Sequence, residues 1–128
     1  MLGTVEFGSA VVVADFEAGI GTLVRLGGEA VDVLIVVVEP TPRSIEVGQR
    51  AVVLARQRDI DRVIVVANRV VDDADTARVT AAFEGCEVVV VPHDEAIVDA
   101  ERRGVAPLDA SPQAPAVTAL VNLGLTLA

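Results

Sequence analysis

The sequence has no lysine, no tryptophan and no tyrosine, and only one cysteine, one histidine and three phenylalanines among its 128 residues. Each shortage excludes something. Without lysine there can be no G-x-x-x-x-G-K-[ST] phosphate loop, nor the late-strand lysine that a response-regulator receiver needs. A lone Cys86 permits no internal disulfide. One cysteine and one histidine are too few for a zinc or nickel site within one chain, so no transition metal is expected there. The longest apolar stretch, "VDVLIVVVEP" at 31–40, carries Asp32 and falls well short of the roughly 20 residues that span a bilayer, so no membrane helix is expected. The opening "MLGTVEFG" has neither a basic start nor a long apolar run, which makes a cytoplasmic location the default expectation. Positive charge is scarce as well: the net charge is −9. Such a surface repels phosphate backbones and disfavours nucleic acid as a partner.

What is present is aliphatic. Hydrophobic residues make up 52% of the chain, so valine, alanine, leucine and isoleucine must fill the core of what reads as a single domain over 1–128. Four nearly continuous apolar runs, Ala10–Ala14, Val33–Val38, Val63–Ala67 and Val88–Val91, have the pattern of strands covered on both faces. Between them lie helical patterns: 44–59 with Ser44 as N-cap, 75–83 closed by Gly85, and 94–104 stopped by Gly104 and Pro107. After a proline-containing linker, 107–115, a last helix is expected over 116–127. The fold class is therefore α/β, a parallel sheet of about four strands with flanking helices and right-handed crossovers.

Ligands of open α/β sheets sit beyond the carboxyl ends of the strands. The loops there are "DFEAGIG" (15–21), "EPTPRS" (39–44), "NRVVDDAD" (68–75) and "PHDEA" (92–96). In "VVVADFEAGIG" an apolar run stops at Asp15 and opens at once into Glu17, Gly19 and Gly21. Together with Arg25, "VDVLIVVVEPTPRSIEVGQR", "NRV" and "VPHDEAIVDAERRG", this order of elements resembles the C-terminal half of the deviant P-loop ATPases of the MinD/ParA class. It is most similar to the CooC-type accessory ATPases of nickel insertion into carbon monoxide dehydrogenase. The resemblance implies a truncated P-loop NTPase (Rossmann-like) fold. It covers nearly the whole chain but half of the family's fold. The lysine-bearing phosphate loop and the Cys-x-Cys motif of the nickel-insertion members have no counterpart, and Gly21 and Thr22 stand where those members carry Glu-His.

The resemblance assigns roles, each with a plainer competitor. Asp15 would face the Mg²⁺ of a nucleotide; it can equally be a helix cap or a turn acid. Glu17 shares that loop, and Gly19 would bring its backbone N–H to a phosphate or serve as an ordinary turn glycine. Asn68 would read the edge of a purine, its amide offering a donor and an acceptor, with Arg69 stacking on the ring. Its competitor is an asparagine that caps its loop. Pro92, His93 and Asp94 would form the opposite wall through backbone groups, with His93 otherwise a solvated loop residue. Cys86 reads as a small buried residue, and Asp72, Asp73 and Asp75 as loop solvation and a helix cap.

Three functions follow as expectations. The first is a nucleotide-binding or regulatory module that holds ATP or ADP weakly, with Mg²⁺, and does not hydrolyse it alone. The second is a structural or interaction protein, and the third is half of a split ATPase. In the resembled fold the phosphate-loop strand lies between the runs ending at Asp15 and Val38, and its helix covers one sheet face. Without it, sequential strands put their crossover helices on one side. Only 116–127 is left for the other side, which leads to the expectation of a homodimer or a complex with a P-loop ATPase relative.

Overall fold

The computed structural model describes residues 10–16 and 31–127. Its centre is a parallel sheet of β1 (Val33–Val38), β2 (Arg62–Val70) and β3 (Glu87–Pro92), in the order β1-β2-β3. Helix α1 (Pro42–Gln57) joins β1 to β2 and α2 (Asp73–Ala82) joins β2 to β3. After β3 come α3 (Glu95–Arg102), the short α4 (Pro107–Ala110) and α5 (Pro115–Leu127). The near-continuous valine runs are strands because both faces are used. Val36 and Val38 of β1, with Val65, Ala67 and Val70 of β2, pack against Ile45 and Val52 of α1, Val79 of α2 and Phe83. On the reverse face Ile64, Val66 and Val91 pack against Ala116 and Leu123 of α5, with Ile97 of α3 at the margin. Both crossover helices thus share one face, as right-handed connection of sequential parallel strands requires.

The helix starts differ from the sequence reading by a few residues, for local reasons. Thr41, rather than Ser44, caps α1, its side chain accepting from Ser44 N at 3.3 Å, and Pro42 takes the first turn, where its missing N–H costs nothing. Ser44 instead accepts from Glu39 N at 2.9 Å and ties the strand end to the helix start. Asp72 caps α2 by accepting from Asp75 N at 2.8 Å, and the Asp75 carboxylate reaches back to Val71 N at 3.1 Å. This reciprocal arrangement resembles a capping box. Gly85 and Gly104 follow α2 and α3 with φ of +83° and +64°, the left-handed turn that ends many helices. Pro107, read as linker, opens α4.

The fourth strand is not formed. Residues 10–16 have no regular secondary structure and are exposed throughout. A strand is stabilised by a neighbour's hydrogen-bonding ladder. Among the described residues no strand pairs with this run.

Arg62 shows how the ends of the reverse face are closed. At the amino end of β2 its guanidinium pairs with Glu87 on β3 at 3.1 Å and donates to the carbonyl of Thr126 at 3.5 Å. A cation is thereby set against the carbonyl end of α5, where the helix dipole favours it. The pair is half exposed and contributes about 1 kcal/mol at most.

Candidate functional site

The sheet register places the predicted residues along one rim. Strands β2 and β3 pair Ala67 with Val90 and then Val70 with Pro92. Two residues of β2, Asn68 and Arg69, therefore stand opposite one of β3, Val91. This is a β-bulge, and Arg69 carries it in the left-handed region at φ +56°. The cause is packing. Strict alternation would turn Val70 to the face opposite Ala67, but the extra residue returns it to the same core, where it is buried. Arg69 is expelled to the surface and Asn68 is left half-buried at the carboxyl rim. Sequence pattern ended this strand at Ala67, so it placed both residues in a loop; they belong to the strand.

The last turn of β3 meets the bulge directly. His93 N donates to the carbonyl of Val70 at 2.8 Å, so Asn68 and Arg69 on one strand and Pro92, His93 and Asp94 on the next form one continuous lip. The His93 ring nitrogen Nε2 lies 3.1 Å from Glu95 Oε1, outside the core. Asp94 caps α3, Oδ1 accepting from Ala96 N at 2.9 Å, while Oδ2 accepts from Ala116 N at 3.1 Å in the first turn of α5. Both carboxylate oxygens are thus committed to helix N-termini. A contribution of Asp94 to a ligand wall falls to its backbone.

Glu39, which the sequence reading did not single out, completes the rim. Arg69 Nη1 donates to Glu39 Oε1 at 3.1 Å, across from β1 to β2. Arg78 joins Pro40 to α2, donating to the Pro40 carbonyl at 3.1 Å and to Asp75 Oδ1 at 2.9 Å. The available signal was positional: Glu39 and Arg69 each follow the apolar core of adjacent parallel strands and carry opposite charge. A guanidinium held in plane by a carboxylate keeps its faces open for stacking. The pairing is therefore compatible with an aromatic ring lying on Arg69.

Of the residues read as phosphate-facing, the described Asp15 makes no hydrogen bond or ion pair with this lip. Asp15 is exposed in the stretch 10–16 and has no hydrogen-bond or ion-pair partner among the described residues. Glu17 and Gly19 lie outside the described residues. Among the described residues no three His, Cys, Asp or Glu side chains come together as a metal site. One exposed carboxylate does not make an all-protein cage. Mg²⁺ bound with a nucleotide is commonly held by one or two carboxylates together with substrate phosphates. Cys86 is free and half-buried at the edge of the core, with Arg56 Nη2 3.6 Å from its sulfur. Among the described residues no helix is long and apolar enough to cross a membrane.

The arrangement is thus a parallel sheet whose carboxyl rim presents an amide, an ion-paired guanidinium and a backbone lip. Comparison with known proteins bears on the family. The chain is 32% identical over 102 residues to the carbon monoxide dehydrogenase accessory protein CooC of Rhodospirillum rubrum, covering 79% of this chain and 39% of that protein. The chain is a partial homologue of CooC. It is also 34% identical over 97 residues to an uncharacterized ATP-binding protein of Methanocaldococcus jannaschii, covering 73% of this chain and 38% of that one. No family model matches. The CooC-like chain spans well under half the length of either relative.

Proposed function

We propose that this CooC-like chain is a nucleotide-binding or regulatory module that holds the base end of an adenine nucleotide and does not hydrolyse it alone. One observation carries the reading: the bulge sets Asn68 and Arg69 beside Pro92, His93 and Asp94 at the carboxyl rim of a parallel sheet, where ligands of such sheets bind. Asn68 would take the purine edge, Arg69 would stack on the ring, and the backbone of 92–94 would close the other side. Asp15, with Glu17 and Gly19 in its loop, would face the phosphates and their Mg²⁺ only where a partner supplies the phosphate loop, so the chain alone gains little from it. Bound Mg²⁺ would supply charge neutralisation at the phosphates. A relative described as ATP-binding supports the ligand class.

The base end alone binds feebly. Without a lysine or a described backbone cradle for the phosphates, adenine nucleotides should bind with Kd of about 1 mM, or roughly −4 kcal/mol. Calorimetry with ATP, ADP and AMP tests this: the three should bind alike, with little dependence on Mg²⁺, and Asn68→Ala should abolish the signal. Micromolar, Mg-dependent binding of ATP would refute it. A second reading, an interaction protein, is favoured by Val37, 60% exposed near the carboxyl end of an apolar strand.

A further inference from the structure

Helix α5 is apolar on more than the side that packs against the sheet. Ala116 and Leu123 belong to the core with Ile64, Val66 and Val91, and Ala119 and Leu127 pack at its margin. Yet Leu125 is 70% exposed, and Leu120 and Val121 are each close to half exposed. At about 3.6 residues per turn these three fall with Gly124 on one flank and the outer side, while the exposed Thr118, Asn122 and Thr126 recur along the other flank. No residue of Pro115–Leu127 is charged, whereas every other described helix carries Asp or Glu. A helix apolar around most of its circumference is normally covered.

Gly124 adds an independent reason. Glycine in a helix interior is destabilising relative to alanine and is usually kept there for packing. Nothing among the described residues requires it, because a Cβ at Gly124 would meet no atom within 4 Å. The bare backbone accepts a neighbour at close range instead.

The order of the side chains decides which neighbour. Let two α5 helices lie antiparallel about a two-fold axis between residues 122 and 123. Leu120 of one copy then stands opposite Leu125 of the other, and Val121 stands opposite Gly124. One axis satisfies both pairings, so the branched valine meets the gap at the glycine and the stripe is its own complement. Charge agrees. Two chains each of net charge −9 repel, and α5 is the described helix that can be brought against its own copy without burying a carboxylate. A membrane surface is a poorer match, since helices that lie on one carry Lys or Arg along the polar face, where α5 has Thr118, Asn122 and Thr126.

We propose that α5 is a self-association face, packing antiparallel on α5 of a second copy of this chain through Leu120, Val121, Gly124 and Leu125. The helix is only about 20 Å long, and the patch falls below the roughly 800 Å² per partner of a standard interface. Association is therefore weak and reversible.

Sedimentation equilibrium of the purified chain tests this and should show a monomer–dimer equilibrium. Leu125→Glu should weaken the dimer about tenfold or more, as loss of a buried leucine predicts. Val53→Glu, the same change of charge at an exposed valine of α1, should leave it unchanged. Gly124→Val should weaken the dimer without lowering the Tm of the monomer, since its side chain enters open space there. Mixing Leu120→Glu with Leu125→Arg should restore a dimer that neither variant forms alone, because the two positions face each other. A chain that stays monomeric up to about 1 mM overturns the proposal. So does a dimer indifferent to Leu125→Glu and Gly124→Val, one that Val53→Glu weakens equally, or a failure of the mixed variants to pair. Capture of a monomeric chain by phosphatidylcholine–phosphatidylglycerol vesicles, lost in Leu125→Glu, would put lipid in place of the second copy and overturn it as well.

Discussion

Asp94 joins the candidate lip to the stability of the whole reverse face, and its replacement separates the two roles. In Asp94→Ala, α3 loses its N-cap, which typically costs about 1 kcal/mol. Ala116 N loses its acceptor as well. Ala116 is fully buried, so that N–H has poor access to water, and an unmet buried donor costs about 1–3 kcal/mol. The sum is a loss of about 2–4 kcal/mol. For a chain of this size each kcal/mol lowers Tm by about 4 °C, so the midpoint should fall by roughly 8–16 °C. Asp94→Asn retains one acceptor oxygen and should lose about half as much. Urea denaturation followed by circular dichroism gives the energies, provided the transition is two-state. If Asp94→Ala were within about 0.5 kcal/mol of the parent, the double cap would not be holding α3 and α5, and the reasoning would fail.

Gly48 lies where α1 meets β1, and a Cβ there would run into Val38 and sit 2.9 Å from the Phe83 ring. Gly48→Ala gains about 1 kcal/mol of helix propensity but overpacks a buried contact for about 1–3, so a net loss near 1 kcal/mol is expected in the same denaturation assay, and a rise in stability would contradict it. At Arg69, glycine and alanine both remove the pair with Glu39, but only glycine relieves the left-handed backbone. Arg69→Gly should therefore be about 1 kcal/mol more stable than Arg69→Ala, and the reverse order would mean that the bulge relaxes. Because no lysine is available to stabilise charge on a transferring phosphoryl group, the purified chain should release no phosphate from ATP above background. Mg-dependent turnover that disappears in Asp15→Asn would overturn that expectation.

Much of the fold was legible because burial on both faces writes itself into composition. The runs at 33–38, 63–67 and 88–91 are apolar without alternation, and each is the body of a strand. Helix ends followed from Gly85 and Gly104 for the same kind of reason, since local backbone chemistry is carried by single residues. The run at 10–14 has the same valine-rich character yet forms no strand. Composition reports that a segment can pair; it is silent on whether a neighbour is there to receive it.

The candidate site was legible in membership more than in construction. The loops that hold Asn68, Arg69 and 92–94 were readable from their position after apolar runs and the resemblance singled out those residues, but the contact between them depends on a bulge that no run of hydrophobicity encodes. The polar pair Asn68–Arg69 ends the apolar pattern, so pattern alone stops the strand there. The strand instead continues because Val70 regains the core by the insertion of one residue. The same insertion gives Arg69 its exposed position and its partner Glu39, 30 residues earlier in sequence. A pairing of that separation is a property of the sheet order β1-β2-β3. It becomes readable only once two strands are known to be neighbours, and this is why Glu39 was invisible until the register was known.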